Sequence, residues 1–332
     1  MKTRITALAL TLLAFTGIAG AAEVQTVLTP NNVVFAIADG ASAQLELSRR
    51  KADVREKLVV PGTNDAAIDS DARLLWDGAT STLFVVWHKA SADRDAVVLA
   101  TLDASGVWSE PVVIASCSSQ RRSGLQTALT HVPAATEGDK PATLLHAAWW
   151  GVGSDLVAEY ALVAFEGGKY VSTDVEALKD FASRKADAVD EFEDTGLALH
   201  PPLAIAPSET DASIDVVYGA PNSTKITRVR LEPRLVKGDA RIWKPLGRGS
   251  EISGPARLIA SDSAPVQAFL ANGRVVLYRP DEKFRFVVLQ NGVWSPERMI
   301  QAGGQLTTEQ LLRELRRSVA ENGPMDQGAP EK

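Results

Sequence analysis

Phe84-Val85-Val86-Trp87 is a run of four apolar residues closed by a large ring, and it has counterparts along the chain. Val33-Val34-Phe35-Ala36, His146-Ala147-Ala148-Trp149, Asp215-Val216-Val217-Tyr218 and Val275-Val276-Leu277-Tyr278 share its shape, and four of the five end in an aromatic residue. Successive ends lie 51, 62, 69 and 60 residues apart. Short runs rich in β-branched and aromatic side chains read as buried strands. Self-similarity at a near-constant period reads as a repeat architecture.

A second feature follows each run. Trp108-Ser109-Glu110-Pro111 leads into Val112-Val113-Ile114, and Trp294-Ser295-Pro296 leads into Met299-Ile300. Lys57-Leu58-Val59-Val60 and Tyr170-Val171 hold the same place in the first and third units. In the fourth, Ile252-Ser253-Gly254-Pro255 before Leu258-Ile259 aligns best, which makes the residues around Trp243 an insertion. Between the two landmarks lies another strand-like run, such as Ala96–Leu99 or Phe284–Val288. One more precedes the first landmark, as Ala72–Trp76 does ahead of the turn at Asp77-Gly78. Four strands joined by tight turns make one propeller blade, whose two faces need neighbours. The expected fold is all-β: a β-propeller of four-stranded antiparallel blades over residues 22–303. Five blades is the simplest count, and six follow if the long third unit hides a degenerate one.

The ends of the chain read differently. Lys2 and Arg4 precede an apolar run from Ile5 to Ile18, and Ala19-Gly20-Ala21 supplies small residues at a cleavage position. That is the pattern of a signal peptide, residues 1–21, and it places the remainder in the periplasm or outside the cell. Cys117 is the single cysteine, so no intramolecular disulfide is available. At the other end Thr307 and Gln310 form a capping-box pair, Leu311, Leu312, Leu315 and Val319 form one apolar stripe, and Gly323-Pro324 ends it. An amphipathic helix and a polar tail are expected over 304–332.

The chain has 35 Lys+Arg against 41 Asp+Glu, a formal net charge of −6. Such a balance argues against a nucleic-acid partner, which needs a basic stripe. From Asp174 to Phe192 the apolar spacing is closer to helical than to strand. The acidic stretch within it, Asp187, Asp190, Glu191, Glu193 and Asp194, lacks the spacing of a calcium loop. It reads as a solvated insertion. No cofactor is called for, and no metal-ligand spacing joins His88, His131, His146 and His200.

The apolar strand ending in Trp, followed by a further strand and Gly-x-Trp-Ser-x-Pro, resembles the sialidase-like propellers. Thr101-Leu102-Asp103-Ala104-Ser105-Gly106-Val107-Trp108 is similar to the Asp box of that family, with Ser105 where Gly is usual. The resemblance implies a structural role: the Asp ties down its own turn and the Trp packs between blades. It implies no chemistry, because the family's arginine triad and tyrosine nucleophile have no motif match here.

In a propeller, the loops between blades and those joining strands two and three share one face. The between-blade loops supply Asn64, Asp65, Asp69, Asp71, Gln120, Arg121, Arg122, His200 and Asp262. The others supply Asp39, His88, Lys89, Trp150, Asn222 and Arg279. The ligand-binding candidates are Trp150, Arg121, Arg122, His88, Arg279 and Asp71, a mixture of ring, cation and carboxylate suited to a glycan. Alternation along a strand sends Trp149 and Trp150 to opposite faces. The expected function is an exported binding or scaffolding module for a carbohydrate or another envelope protein. The competing reading is a glycoside hydrolase that uses loop-face carboxylates.

Overall fold

Each of the five apolar runs forms the second strand of its own antiparallel sheet. The computed structural model describes most residues between 25 and 299. Residues 1–24, 179–202, 254–266 and 300–332, and short stretches between strands, lie outside the described residues. The expected signal peptide, the acidic stretch 187–194 and the C-terminal helix all fall there.

The first sheet is β1 (Gln25–Leu28), β2 (Val33–Asp39), β3 (Leu45–Lys51) and β4 (Val54–Val59). The second has a first strand in two pieces, β5 (Ala67–Ile68) and β6 (Arg73–Asp77), both pairing β7 (Thr82–Ala90), then β8 (Asp95–Leu102) and β9 (Val112–Cys117). The third is β10 (Arg121–Val132), β11 (Ala142–Val152), β12 (Leu156–Glu166) and β13 (Lys169–Ala177). The fourth is β14 (Leu203–Pro207), β15 (Ile214–Gly219), β16 (Lys225–Lys237) and β17 (Arg241–Ser253). The fifth is β18 (Gln267–Ala271), β19 (Arg274–Arg279), β20 (Arg285–Gln290) and a fourth strand in two pieces, β21 (Val293–Trp294) and β22 (Arg298–Met299).

Because side chains alternate across a strand, a sheet that lies between two others has two apolar faces to cover. Phe35, Ile37, Leu45 and Leu47 of the first sheet pack with Leu83, Val85 and Trp87 of the second. Phe84, Val86 and Leu99 of the second pack with Leu145, Ala147 and Trp149 of the third. Leu144, Trp150 and Tyr160 of the third meet Val216, Val229 and Trp243 of the fourth, and Val217 and Ile226 of the fourth meet Val275 and Leu277 of the fifth. Each sheet therefore stacks on the next in chain order. The first strands also adjoin one another, β1 beside β6, β6 beside β10, β10 beside β14 and β14 beside β18. Sheets stacked in order, with their first strands gathered together, are the blades of a β-propeller.

The recurring Trp-Ser step has a structural cause. Ser109 donates its backbone N–H to the Thr101 carbonyl (2.8 Å), and its hydroxyl accepts from the Thr101 amide (3.0 Å). Ser295 makes the same two bonds to Val288, at 2.8 and 3.1 Å. In both blades one serine returns the departing chain to strand three. Asp103 ties down the turn that precedes Trp108. Its carboxylate accepts from the Ser105 amide (2.9 Å), the Ser105 hydroxyl (2.6 Å) and the Val107 amide (2.9 Å). Gly106 takes φ +86°, a conformation that glycine tolerates and other residues rarely adopt. Trp108 packs, partly buried, on the cluster between the first two sheets.

Two expectations need correction. The residues around Trp243 are not an insertion: they lie in the fourth strand β17, paired with β16 from Lys225↔Ser253 to Lys237↔Arg241. The prolines that obscured it, Pro233 and Pro245, sit opposite one another beyond the last β15 pairing at Ile214↔Leu231. A missing N–H costs least where a strand has no second neighbour. Asp174 to Ala177 is strand, the end of β13, and not the start of a helical segment. The aromatic ends of the runs are not equivalent. Trp87, Trp149 and Tyr218 pack toward the preceding sheet, whereas Val275 and Leu277 take that face in the fifth sheet and Tyr278 alternates to the other.

Candidate functional site

The second strands end together at one end of the blades, where β7 delivers His88, β11 Trp150, β15 Tyr218 and β19 Arg279. The first strand of the third blade begins there too. Arg121 and Arg122 pair with Val152 and Gly151, and Ser123 lies opposite Trp150. The structure thus places both arginines on the strand beside Trp150. Arg279 lies at the same end in the fifth blade, two blades further on, and His88 in the second blade. Asp71 lies outside the described residues, as do Asn64, Asp65, Asp69, Gln120, His200, Asn222 and Asp262.

Trp150 is 5% exposed and belongs to the cluster between the third and fourth blades. Its ring meets Tyr218 edge-on, with centroids 6.4 Å apart at 73°. Opposite it, β10 carries a bulge between Ser123 and Gln126. There Gly124 takes φ +68°, and a Cβ would stand 3.3 Å from Trp150 Cδ1. Bulges re-aim side chains and recur beside functional sites. Tyr218 is the half-buried member of the pair. The sequence reading used Tyr218 only as a repeat marker. Its pairing with Trp150 across two blades has no signature along the chain.

His88 is 3% exposed, on the face of β7 that meets the third blade. Beside it Lys89 Nζ donates to the Gly62 carbonyl at 3.5 Å, which ties the end of β7 to a turn at φ +76°. The indole N–H of Trp149 donates to Glu159 on β12, so that carboxylate at the same end already has a partner.

Three further committed carboxylates sit at the opposite end of the blades, where strand one turns into two and three into four. Asp77 is fully buried and accepts from the Ala79 amide (2.8 Å), Thr80 (2.7 Å) and Thr143 (2.8 Å), with His131 Nε2 2.8 Å away. Burial pushes its carboxyl up, but the bonds from Thr80, Thr143, His131 and Ala79 together outweigh that and hold it below the ordinary value. Asp215 is gripped by Arg228 at 2.7 and 2.9 Å. Asp211 is held down chiefly by the Ser213 hydroxyl, with Arg230 at 2.9 Å.

Midway along β11, His146 is fully buried between Thr130 Oγ1 and Tyr160 Oη, each 2.7 Å from a ring nitrogen. Burial lowers its pKa to about 3, so the ring is neutral. A neutral imidazole offers one donor and one acceptor, and two hydroxyls match them. Burial likewise raises the Tyr160 hydroxyl, helped by the charge of Asp174. Among the described residues no group of three or more His, Cys, Asp or Glu could hold a metal ion. No helix among them is long and apolar enough to cross a membrane.

No protein-family model matches the chain, and no curated protein does. Solved structures similar to it include a mutant of the lectin of Aleuria aurantia in complex with alpha-methyl-L-fucoside. That match has 11% identity over 85% of this chain and 78% of the other, at TM-score 0.45. Another structure of the Aleuria aurantia lectin, described as a six-bladed β-propeller, matches at 11% identity over 83% and 77%, TM-score 0.43. SapL1 lectin in complex with alpha methyl fucoside matches at 9% identity over 85% and 96%, TM-score 0.28.

Proposed function

We propose that this chain is an exported β-propeller that binds a carbohydrate at the end of the blades where the second strands finish. The observation that carries the reading is the Trp150–Tyr218 ring pair at that end, with Arg121 and Arg122 in register on the strand beside Trp150. Asp77 and Asp215 are spent on structure at the other end. Rings stack on the C–H faces of sugars, and arginines orient hydroxyls and acidic groups. On this reading Trp150 is the wall of the site and holds Tyr218, and Tyr218 presents the surface that the sugar meets.

The geometry of the Asp103 turn supports kinship with the sialidase-like propellers, in which that turn is structural. A hydrolase would need two carboxylates about 5 to 10 Å apart beside the scissile bond. The binding reading needs none.

Two measurements test it. Thermal shifts of the protein against a panel of neutral and acidic glycans, alpha-methyl-L-fucoside among them, are expected to show at least one rise in Tm. That rise disappears in Tyr218→Ala and shrinks in Arg121→Ala, with no released sugar. A rise accompanied by turnover would replace binding with catalysis. The absence of any rise across the panel, with capture of an envelope protein instead, would replace the sugar with a protein partner. Export is tested by sequencing the N-terminus of protein from the periplasmic fraction, which is expected to begin at Ala22.

A further inference from the structure

The β16–β17 hairpin reverses the charge of the chain around it. Between Lys225 and Ser253 there are eight Lys or Arg against three Asp or Glu, in a chain of formal net charge −6. Its ladder sets basic residues directly opposite one another at Arg230↔Arg248, Arg234↔Lys244 and Lys237↔Arg241. Like charges directly opposite destabilise a ladder, so the fold does not account for the Arg234↔Lys244 rung. Arg228 and Arg230 are partly committed, to Asp215 and Asp211. Arg234 and Lys244 are both exposed and face each other.

The apolar residues of the same face are equally out of place. Val236 and Ile242 form the next rung, 47% and 37% exposed, and Leu246, opposite Glu232, is 47% exposed. Glu232 is the one acid on the described part of this face. The other face is pinned: Trp243 is buried against the third blade, with its indole N–H on Glu166 (3.2 Å) and its amide on the Ser172 hydroxyl (3.4 Å). Because β15 stops pairing at Ile214↔Leu231, the rungs beyond it extend past their sheet. A rigid surface that alternates cations with aliphatic side chains therefore projects from the fourth blade.

We propose that this face docks on an anionic bilayer surface. Val236, Ile242 and Leu246 would enter the boundary between headgroups and acyl chains, with Arg234 and Lys244 at the level of the phosphates. A soluble polyanion would satisfy the cations and leave the aliphatic rung uncovered, so the combination favours a bilayer. The remainder of the chain is more acidic and is repelled by such a surface, so the hairpin leads. It projects from the end of the blades opposite Trp150 and Tyr218, and a docked protein keeps that end clear of the membrane.

The test sediments the full chain with vesicles of phosphatidylcholine alone and of phosphatidylcholine mixed with phosphatidylglycerol. Binding is expected to the mixed vesicles above the neutral ones, and to weaken with salt. The apolar run Ile5–Ile18 follows Lys2 and Arg4 and would itself favour the mixed vesicles, so the comparison of the parent with Arg234→Glu on those vesicles reads the hairpin. Arg234→Glu removes two units of positive charge, and partition falls roughly tenfold or more. The same change turns a repulsive rung into a Glu–Lys pair, so Tm holds or rises, which separates lost docking from lost folding. Ile242→Ser weakens binding at unchanged salt dependence. Equal binding to both vesicle types, indifference to Arg234→Glu, or capture of a soluble anionic polysaccharide without vesicle binding would each overturn the proposal.

Discussion

Trp149 and Trp150 are consecutive in the chain and serve different seams: Trp149 packs against the second blade and Trp150 against the fourth. Each is at least 95% buried, and they share no cluster. Conservative truncations should therefore act independently. Trp149→Phe and Trp150→Phe are each expected to cost about 1–3 kcal/mol. In the double variant the losses should add to within about 0.5 kcal/mol, the behaviour of sites without common partners. Urea titrations of the four proteins check this, and a large coupling would mean that the two seams respond as one.

Asp77 fastens the second blade to the third through Thr143 and His131. Asp77→Ala leaves the buried Thr143 hydroxyl without its acceptor and breaks the tie between the blades, and the expected loss is roughly 1–3 kcal/mol. It should appear as a lower denaturation midpoint at an unchanged slope.

His146 makes the stability of the protein fall with acid. Unfolded, the ring takes up a proton near 6.5; folded, it resists protonation down to about 3. The unfolded chain binds more protons across that window, so its stabilising share is complete above about 6.5 and declines as pH falls toward 3. The decline is up to about 1.4 kcal/mol per pH unit. His146→Leu should lower Tm at neutral pH, because it strands the Thr130 and Tyr160 hydroxyls. It should also flatten the curve of Tm against pH between 6.5 and 4. A variant whose curve runs parallel to the parent's would show that other groups carry the dependence.

The two serines of the Trp-Ser steps offer a graded comparison. Ser109→Ala removes the acceptor of an exposed amide that water can replace, for an expected cost of about 0.5 kcal/mol or less. Ser295→Ala does the same to the partly buried amide of Val288 and is expected to cost about 1 kcal/mol. The order of the two midpoints is the measurement.

The second strands were legible because they are among the most buried of each sheet, and those of the second, third and fourth blades pack on both faces, which leaves an unbroken apolar run in the sequence. Trp108-Ser109 and Trp294-Ser295 were legible because a hydrogen-bonded clamp needs its serine at one place. Strand β17 was not legible, because its aliphatic residues Ile242 and Leu246 alternate to the exposed face and Pro245 and Gly247 interrupt the run, although Trp243 and Pro245 between them are buried. The candidate end of the blades was legible as a set of loops. The contact between Trp150 and Tyr218 was not, since it depends on how one blade turns against the next. Tyr278 shows the same limit: it ends its run as Tyr218 does, yet a one-residue offset sends it to the other face.

The stacking of sheets in strict chain order bears on how the molecule comes to exist. Each apolar seam among the described residues joins a blade only to its immediate successor. A chain delivered from its N-terminus, by a ribosome or through a narrow channel, can bury the outward face of every blade as soon as the following one arrives. At any moment one uncovered face is exposed to aggregation, whatever the length already delivered.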